Sequence, residues 1–335
     1  MFKNFHPLST LGAVVLALSP VFFFSGQSLL GVGLLFAAHG FALLEFKKYT
    51  SQFQFALMLI TAVAMGVVLD LEYMSWPLLT IGLLLAATAS IARQAFMQQF
   101  TYVNLLWVDT GLSLVALACY LIAITTQPFA WDLWLGPLLP IGFALGLTFS
   151  YVQDAMQMRK RTRFGYRVTV GQPAPEFTLP DSNGAMVSLS DYKGKHPLLL
   201  VFVRGDWCPG CHMMLRTYER ERERFLEKGV HVLGIGPDDI SVNRDMVQRI
   251  GVAFKMLSDD VQAVSGQYGV VYNNPIIEMG IDYAEGIPLP ASFLVDIDGV
   301  VRYVSRPDRV GEFLDPQLIF GVLGELPTTA QPAWS

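Results

Sequence analysis

Six apolar runs, at about residues 8–24, 28–46, 53–71, 77–97, 102–124 and 132–153, follow one another with only short polar breaks between them. Each is close to the ~20 residues a helix needs to cross ~30 Å of hydrocarbon. In lipid every backbone N–H and C=O must find its partner inside the protein, so such runs have helices as their natural form. Formal charge is scarce over the same stretch. Before residue 156 it comes from Lys3, Glu45, Lys47, Lys48, Asp70, Glu72, Arg93, Asp109, Asp132 and Asp154 alone. The expectation is an α-helical membrane domain of about six transmembrane helices over residues 1–155, arranged as three hairpins. Trp76, Trp131 and Trp134 stand at predicted helix ends, where an aromatic belt belongs. A signal peptide is the competing reading of the first run, with Lys3 ahead of it. That run is longer than the usual apolar core of a signal, and no small-residue cleavage site follows Phe24.

Orientation follows from the basic residues. Lys3, Lys47, Lys48 and Arg93, with Arg159, Lys160, Arg161, Arg163 and Arg167, fall on one side of a six-span arrangement. The opposite loops hold Asp70, Glu72 and Asp132 and no Lys or Arg. The positive-inside rule then expects an integral, multi-pass protein with both termini and the C-terminal half on the cytoplasmic side, the membrane being the plasma or inner membrane if the source is bacterial. The bilayer is its first partner. Within the runs, His39 and Asp109 lie at similar depth and could pair. A helix-to-helix polar clamp explains them more simply than a proton or quinone site. Glu45 and Arg93 can snorkel towards the cytoplasmic surface. Cys119 is a lone thiol and reads as a small buried apolar residue. Gly31, Gly33, Gly142 and Gly146 are expected to let helices approach closely.

Beyond about residue 156 the composition turns ordinary. Residues 156–167 form a basic juxtamembrane linker, 168–327 a second domain, and 328–335 a tail. The overall 15% of charged residues, against ~25% in a typical soluble chain, averages two solvents rather than one greasy fold. A net charge of −5 and the lack of a basic stripe with interleaved aromatics argue against a nucleic-acid partner.

In this domain short apolar runs alternate with amphipathic ones. Pro197 to Val203 reads as a buried strand, Pro209 to Lys228 as a helix stopped by Gly229, and Val230 to Ile235 as a second strand. Ile240 to Ile250 is a second helix, and Phe254 to Leu257 a short strand. Ser292 to Val295 and Val300 to Val304 form a hairpin around Asp296-Ile297-Asp298-Gly299, and Leu318 to Leu323 a closing helix. This pattern is an α/β domain with a mixed central sheet.

The chemistry is concentrated in Arg204-Gly205-Asp206-Trp207-Cys208-Pro209-Gly210-Cys211, which follows a buried strand and opens a helix. A cysteine at a helix N-terminus faces unpaired N–H groups and the positive end of the dipole, which stabilise a thiolate. The C-x-x-C spacing brings the second sulfur within disulfide reach of the first, giving a Cys208–Cys211 redox pair. Pro209 suits the first helical turn, where its missing N–H costs nothing. Arg204 and Arg216 would favour the thiolate and Asp206 would oppose it. The bland alternative is half a zinc site, but there is no second Cys pair, and His212 adjoins Cys211; no metal and no cofactor is expected. Asp238-Asp239 reads as a helix N-cap. Arg216 to Glu227 is a solvated helix face with i,i+3 charge pairs. Tyr272 to Ile287 is a longer irregular segment that could cover the dithiol, with a plain surface loop the simpler reading.

Gly171-Gln172-Pro173-Ala174-Pro175-Glu176-Phe177-Thr178-Leu179, the stretch from Gly184 to Leu189, and the segment ending in Cys208-Pro209-Gly210-Cys211 carry a resemblance. So do Gly234-Ile235-Gly236-Pro237-Asp238, Leu257-Ser258-Asp259 and Leu289 to Asp296. Over about residues 168–325 the chain resembles the AhpC/TSA, or redoxin, proteins, the peroxiredoxin-like branch of the thioredoxin superfamily. The resemblance implies a thioredoxin-like fold and thiol chemistry, and gives Pro290 the role of a cis proline beside the dithiol. Peroxiredoxins carry Thr or Ser three residues before the peroxidatic cysteine. In that alignment Cys211 is peroxidatic and Cys208 replaces the hydroxyl; aligned as a thioredoxin, Cys208 attacks and Cys211 resolves. The late arginine of peroxiredoxins has no counterpart at Pro290 to Ser292, and Arg204 could stand in for it.

Three functions fit. The first is a membrane-anchored, antioxidant oxidoreductase that reduces hydroperoxides and draws electrons from a thiol donor. The second is a thiol–disulfide oxidoreductase acting on protein disulfides. The third is a membrane redox sensor, which a buried pair of high-pKa cysteines would favour.

Overall fold

The chain is seen in a computed structural model that describes residues 7–44, 49–73, 77–95, 107–273, 283, 285–305, 312 and 315–325. Lys3, Lys47, Lys48 and Trp76, and most of the Tyr272 to Ile287 segment, lie outside the described residues. The chain divides into two compact units, Met1–Met156 and Gln157–Ser335.

The first unit is helical: α1 (Pro7–Phe24), α2 (Ser28–Leu43), α3 (Tyr49–Tyr73), α4 (Leu78–Ala95), α5 (Val108–Thr125), α6 (Trp131–Leu135) and α7 (Leu138–Thr162), the last running on into the second unit. Among the described residues, three stretches could cross a membrane by length and composition: Pro7–Phe24, Val108–Thr125 and Trp131–Thr162. Ser28–Leu43 and Leu78–Ser90 are apolar but shorter. The sixth apolar run is not one helix. It breaks at Gly136-Pro137, because proline lacks the N–H for the preceding turn, although Gly136 itself keeps helical backbone, φ −56° and ψ −55°. Helix α1 packs along α2 and α4 along α5. Close approach falls at glycines other than most of those expected: a Cβ at Gly12 would press on the Ala38 carbonyl, whereas Gly33, Gly142 and Gly146 face open space. Of the expected four, Gly31 alone abuts a neighbour, the Phe23 ring.

The second unit is built on a five-stranded sheet. Its strands are β3 (Leu198–Phe202), β4 (His231–Gly236), β5 (Lys255–Ser258), β8 (Ala291–Val295) and β9 (Val301–Val304), in the order β5-β4-β3-β8-β9. Strands β3, β4 and β5 run parallel, while β8 is antiparallel to β3 and β9 to β8. The hairpin β1 (Thr178–Pro180) and β2 (Met186–Ser188) precedes the sheet, and the two-residue strands β6 (Val271–Tyr272) and β7 (Ile287–Pro288) pair beside it. This is the mixed α/β sheet of the thioredoxin-like fold.

Strand β3 is buried along its whole length, as its unbroken apolar sequence requires when both faces of a sheet are covered. On one face, Leu198, Leu200 and Phe202 join Leu233, Ile235, Leu257, Tyr268 and Phe293 in the main core. The helices are α8 (Pro209–Arg220), α9 (Arg222–Glu227), α10 (Ile240–Ile250), α11 (Ala263–Tyr268) and α12 (Pro316–Glu325). The single helix expected over Pro209 to Lys228 is interrupted at Glu221, whose φ of −95° and ψ of 2° leave the helical range. The break sends Phe225 inward, where its ring stacks on Phe320 at 4.4 Å. The charge pairs on this face are real: Arg222 to Glu219 at 2.8 Å and Arg224 to Glu221 at 2.6 Å.

The basic segment is anchored to this unit. Arg161 donates to the Gly269 carbonyl at 3.0 Å and Arg167 to that of Gly266 at 3.0 Å, both at the C-terminal end of α11. Met158 belongs to the main core and Tyr166 packs against it.

Candidate active site

The dithiol stands where β3 ends and α8 begins. Cys208 is the N-cap of α8, in extended backbone, and its Sγ accepts the Cys211 amide at 3.4 Å. Pro209 occupies the first turn. Neither cysteine is in a disulfide; Cys208 is 8% and Cys211 1% exposed, with their sulfurs 2.9 Å apart. A disulfide needs only that this separation contract to ~2.05 Å.

The two sulfurs differ in surroundings. Burial, with Cys208 alongside, pushes the Cys211 thiol well above its ordinary value, although the Arg204 amide at 3.3 Å and the Arg204 charge pull the other way. Arg204 is buried. Its guanidinium lies 4.9 Å from the centre of the Trp207 ring and donates to the Tyr272 hydroxyl at 2.8 Å. Trp207 donates from Nε1 to the Arg204 carbonyl at 3.0 Å, which closes the turn. Arg216 donates to the Ile250 carbonyl at 3.4 Å, the C-terminal residue of α10.

Asp206 is tied into a network instead of facing the thiols. Its Oδ1 contacts His212 Nε2 at 2.9 Å and Arg249 at 2.5 Å. Its amide donates to Asp238 Oδ2 at 2.7 Å, and Asp238 Oδ1 accepts the Tyr283 hydroxyl at 2.8 Å. Of the acidic pair read as a helix cap, only Asp239 caps: its Oδ1 takes the Ser241 hydroxyl and the Val242 and Ser241 amides, which hold its carboxyl below the usual range. Asp238 turns inward, and burial raises its carboxyl to about 6 against the hydrogen bonds from Tyr283 and the Asp206 amide.

Gly205 makes this packing possible. Its φ of +123° is a conformation that L side chains avoid, and a Cβ there would run into the Tyr283 hydroxyl and lie 3.1 Å from Asp238.

Pro290 immediately precedes β8, where Ala291 pairs with Phe202 at the end of β3 from which the dithiol turn springs. The register thus sets Pro290 and the Arg204–Cys211 turn at the same end of the sheet. Among the described residues no cluster of three or more metal-binding side chains occurs. In the helical unit, His39 Nδ1 contacts the Leu35 carbonyl at 2.7 Å and Asp109 Oδ1 accepts the Thr110 amide at 2.9 Å. Asp238 and Tyr283 are the residues beside this turn that sequence reasoning did not place there. The positive-φ demand at Gly205 was the one available signal that something packs on that turn.

Comparison with known proteins bears on the same segment. The AhpC/TSA family model matches residues 170–304. The chloroplastic peroxiredoxin Q of Oryza sativa subsp. japonica is 31% identical over 153 residues, 44% of this chain and 66% of the relative. A Coxiella burnetii protein whose name places it among the peroxiredoxins is 36% identical over 137 residues, 41% of this chain and 87% of the relative. Among solved structures, the peroxidoxin BcpB from Mycobacterium tuberculosis aligns with 48% of this chain and 99% of its own, at 20% identity and a TM-score of 0.42.

Proposed function

The chain belongs to the AhpC/TSA family, and on that premise we propose that it is a thiol-dependent peroxidase held on a multi-span membrane anchor, with Cys208 as the attacking thiol and Cys211 as the resolving one. The observation that carries the order of attack is the difference between the sulfurs. Cys208 caps the open end of α8 and is 8% exposed, whereas Cys211 lies inside the first turn, 1% exposed, where burial raises its thiol against the pull of the Arg204 amide. Negative charge is better tolerated at the first than at the second.

The chemistry balances within the dithiol. The Cys208 thiolate attacks the terminal oxygen of a hydroperoxide, the O–O bond breaks, and the alcohol leaves with a proton while the sulfur becomes a sulfenic acid. Cys211 then attacks that sulfur, forming the disulfide and releasing water. An external thiol donor returns two electrons by exchange. Arg204, beside both the turn and Trp207, supplies positive charge near the reacting oxygen; Pro290 shapes the groove from β8.

Thiol–disulfide exchange is the second reading. It draws on the C-x-x-C geometry itself, with both sulfurs in one helical turn. A redox sensor is the third reading and draws on the burial of both thiols.

The anchor is read as six spans, from the six apolar runs, with the redox domain on the cytoplasmic side, from the placement of Lys3, Lys47, Lys48, Arg93 and the 159–167 basic cluster. A reporter fused at the C-terminus should be protected in sealed right-side-out vesicles and exposed in inverted ones.

The deciding experiment uses the full chain, reduced in detergent micelles and mixed with hydrogen peroxide, with thiol oxidation followed by mass. Oxidation far faster than that of free cysteine should survive in Cys211→Ser, trapped there as a sulfenic acid, and should be lost in Cys208→Ser. A trap in Cys208→Ser instead would reverse the roles. Oxidation no faster than free cysteine would sink the peroxidase and leave disulfide exchange as the function.

A further inference from the structure

We propose that Asp238 is a positioning residue for the dithiol, its two carboxylate oxygens holding the Asp206 amide and the Tyr283 hydroxyl so that the turn leading into Cys208 stays closed. This rests on the reading of Cys208 and Cys211 as the reactive pair. Asp238 is itself held in place: its carbonyl accepts Asn243 Nδ2 at 3.0 Å, and the same amide group reaches Ser258 Oγ at 2.9 Å, fixing the end of β4 to α10 and β5. From that fixed point Oδ2 takes the Asp206 amide and Oδ1 the Tyr283 hydroxyl, which lies directly on Gly205.

The turn is therefore gripped from several elements. Asp238 holds its backbone from the β4–α10 junction. Arg249, in the last turn of α10, and His212, in the first turn of α8, hold the Asp206 side chain. Trp207 closes it on the Arg204 carbonyl, and the Cys208 amide donates to the Gly205 carbonyl at 3.2 Å. What the carboxylate fixes is thus the approach of the chain to the N-cap cysteine.

An ionised carboxylate accepts at both oxygens, whereas a carboxylic acid has one oxygen occupied by its own proton. The groups facing Asp238 decide where this changes. Tyr283 and the Asp206 amide favour the ionised form; burial and the negative charges of Asp206 and Asp239 oppose it. Asp206 shares its own charge with Arg249 and His212, and Tyr283 also feels Cys211. The balance lies at about 6, so the grip holds at neutral pH and loosens in mild acid.

The test is alkylation of the reduced full chain in micelles by iodoacetamide, with Cys208 and Cys211 resolved by peptide mass from pH 5 to 8.5. Rates are compared as the ratio of variant to wild type. In Asp238→Asn the side chain keeps an acceptor oxygen for the Asp206 amide and turns its NH2 to the Tyr283 hydroxyl, but it loses the charge that strengthens both bonds, so Cys211 should alkylate about tenfold faster than wild type above pH 7. The ratio should fall towards one near pH 5, where the wild-type carboxyl is already protonated. Tyr283→Phe keeps the ring and should show a smaller change of the same sign. A ratio constant across pH, or a Tyr283→Phe variant indistinguishable from wild type at pH 8, would overturn the proposal. Peroxide is absent from this measurement, so a protein that proves not to be a peroxidase can still show the pH-dependent ratio.

Discussion

The two units bury polar side chains by opposite means. In the helical unit most of the described ones return to their own helix. Ser90 donates to the Ala86 carbonyl, Ser113 to that of Asp109, Thr148 to that of Ala144, and His39 contacts that of Leu35, all four residues back, while Thr148 also reaches Ser113 Oγ at 3.3 Å. In the redox unit the partners are far apart in sequence. Tyr218 meets Ser292 at 2.8 Å across 74 residues, Arg204 meets Tyr272 across 68, and Gln262 meets Gly286 across 24. A back-bonded hydroxyl satisfies itself and specifies nothing, which suits a segment whose helical form is already imposed by its apolar sequence. A long-range pair pins two elements together and leaves an orphan if either side is lost. The helical unit is thus specified by composition and shape, the redox unit by particular pairs.

The largest expected effect tests the second half of that contrast at the site. Gly205→Ala adds a Cβ at φ +123°, where it meets the Tyr283 hydroxyl. We expect about 2–4 kcal/mol of destabilisation and a severe loss of dithiol reactivity, read from thermal unfolding and peroxide oxidation. A neutral outcome would mean that the turn is not gripped.

Next is a pH dependence confined to one carboxyl. The folded value of Asp238, about 6, lies above its ordinary 3.8. Because ionising this buried carboxyl costs more than its two hydrogen bonds return, overall stability is greatest below about pH 4 and falls as pH rises through 6, by on the order of 3 kcal/mol, even though the ionised form holds the turn more tightly. Wild type should lose that much relative to Asp238→Asn between pH 4 and 7. A difference that does not change with pH would show the carboxyl to be solvated.

The contrast itself can be broken with two hydroxyls. Tyr218→Phe should cost ~1–3 kcal/mol by leaving Ser292 unpartnered beneath the sheet, while Ser90→Ala in α4 should cost under ~0.5 kcal/mol. Equal costs would erase the distinction between the units. The smallest effect belongs to the surface. Arg222→Ala, which removes the pair with Glu219, should change stability by no more than ~0.5 kcal/mol, measured by denaturant unfolding in low and high salt.

How much of this was legible follows the same division. The helices of the first unit and the strand–dithiol–helix segment were readable because each carries its signal in contiguous residues: apolar length in one case, a buried strand running into C-x-x-C in the other. Helix α10 was read at its observed limits, since Asp239 caps one end and Gly251 closes the other in left-handed backbone. The breaks at Gly136-Pro137 and Glu221 were passed over because apolar or charged periodicity continues across them. Strands β1, β2, β6 and β7 have two or three residues each, too few for alternation to show. Asp238 was taken for a cap because two adjacent aspartates look alike in sequence; only the fold decides which one turns inward. Tyr283 sits in a segment with no period at all, so its place over Gly205 had no local trace.

The closeness of the two sulfurs sets a clock. On the proposed chemistry, a sulfenic acid at Cys208 has its captor one helical turn away and already in contact, so no unwinding of α8 stands between oxidation and disulfide. The intermediate's lifetime is then governed by a single bond-forming event rather than by a folding fluctuation. A second peroxide, which must arrive by diffusion within that interval to drive the sulfur irreversibly further up its oxidation series, would need to be very concentrated to win.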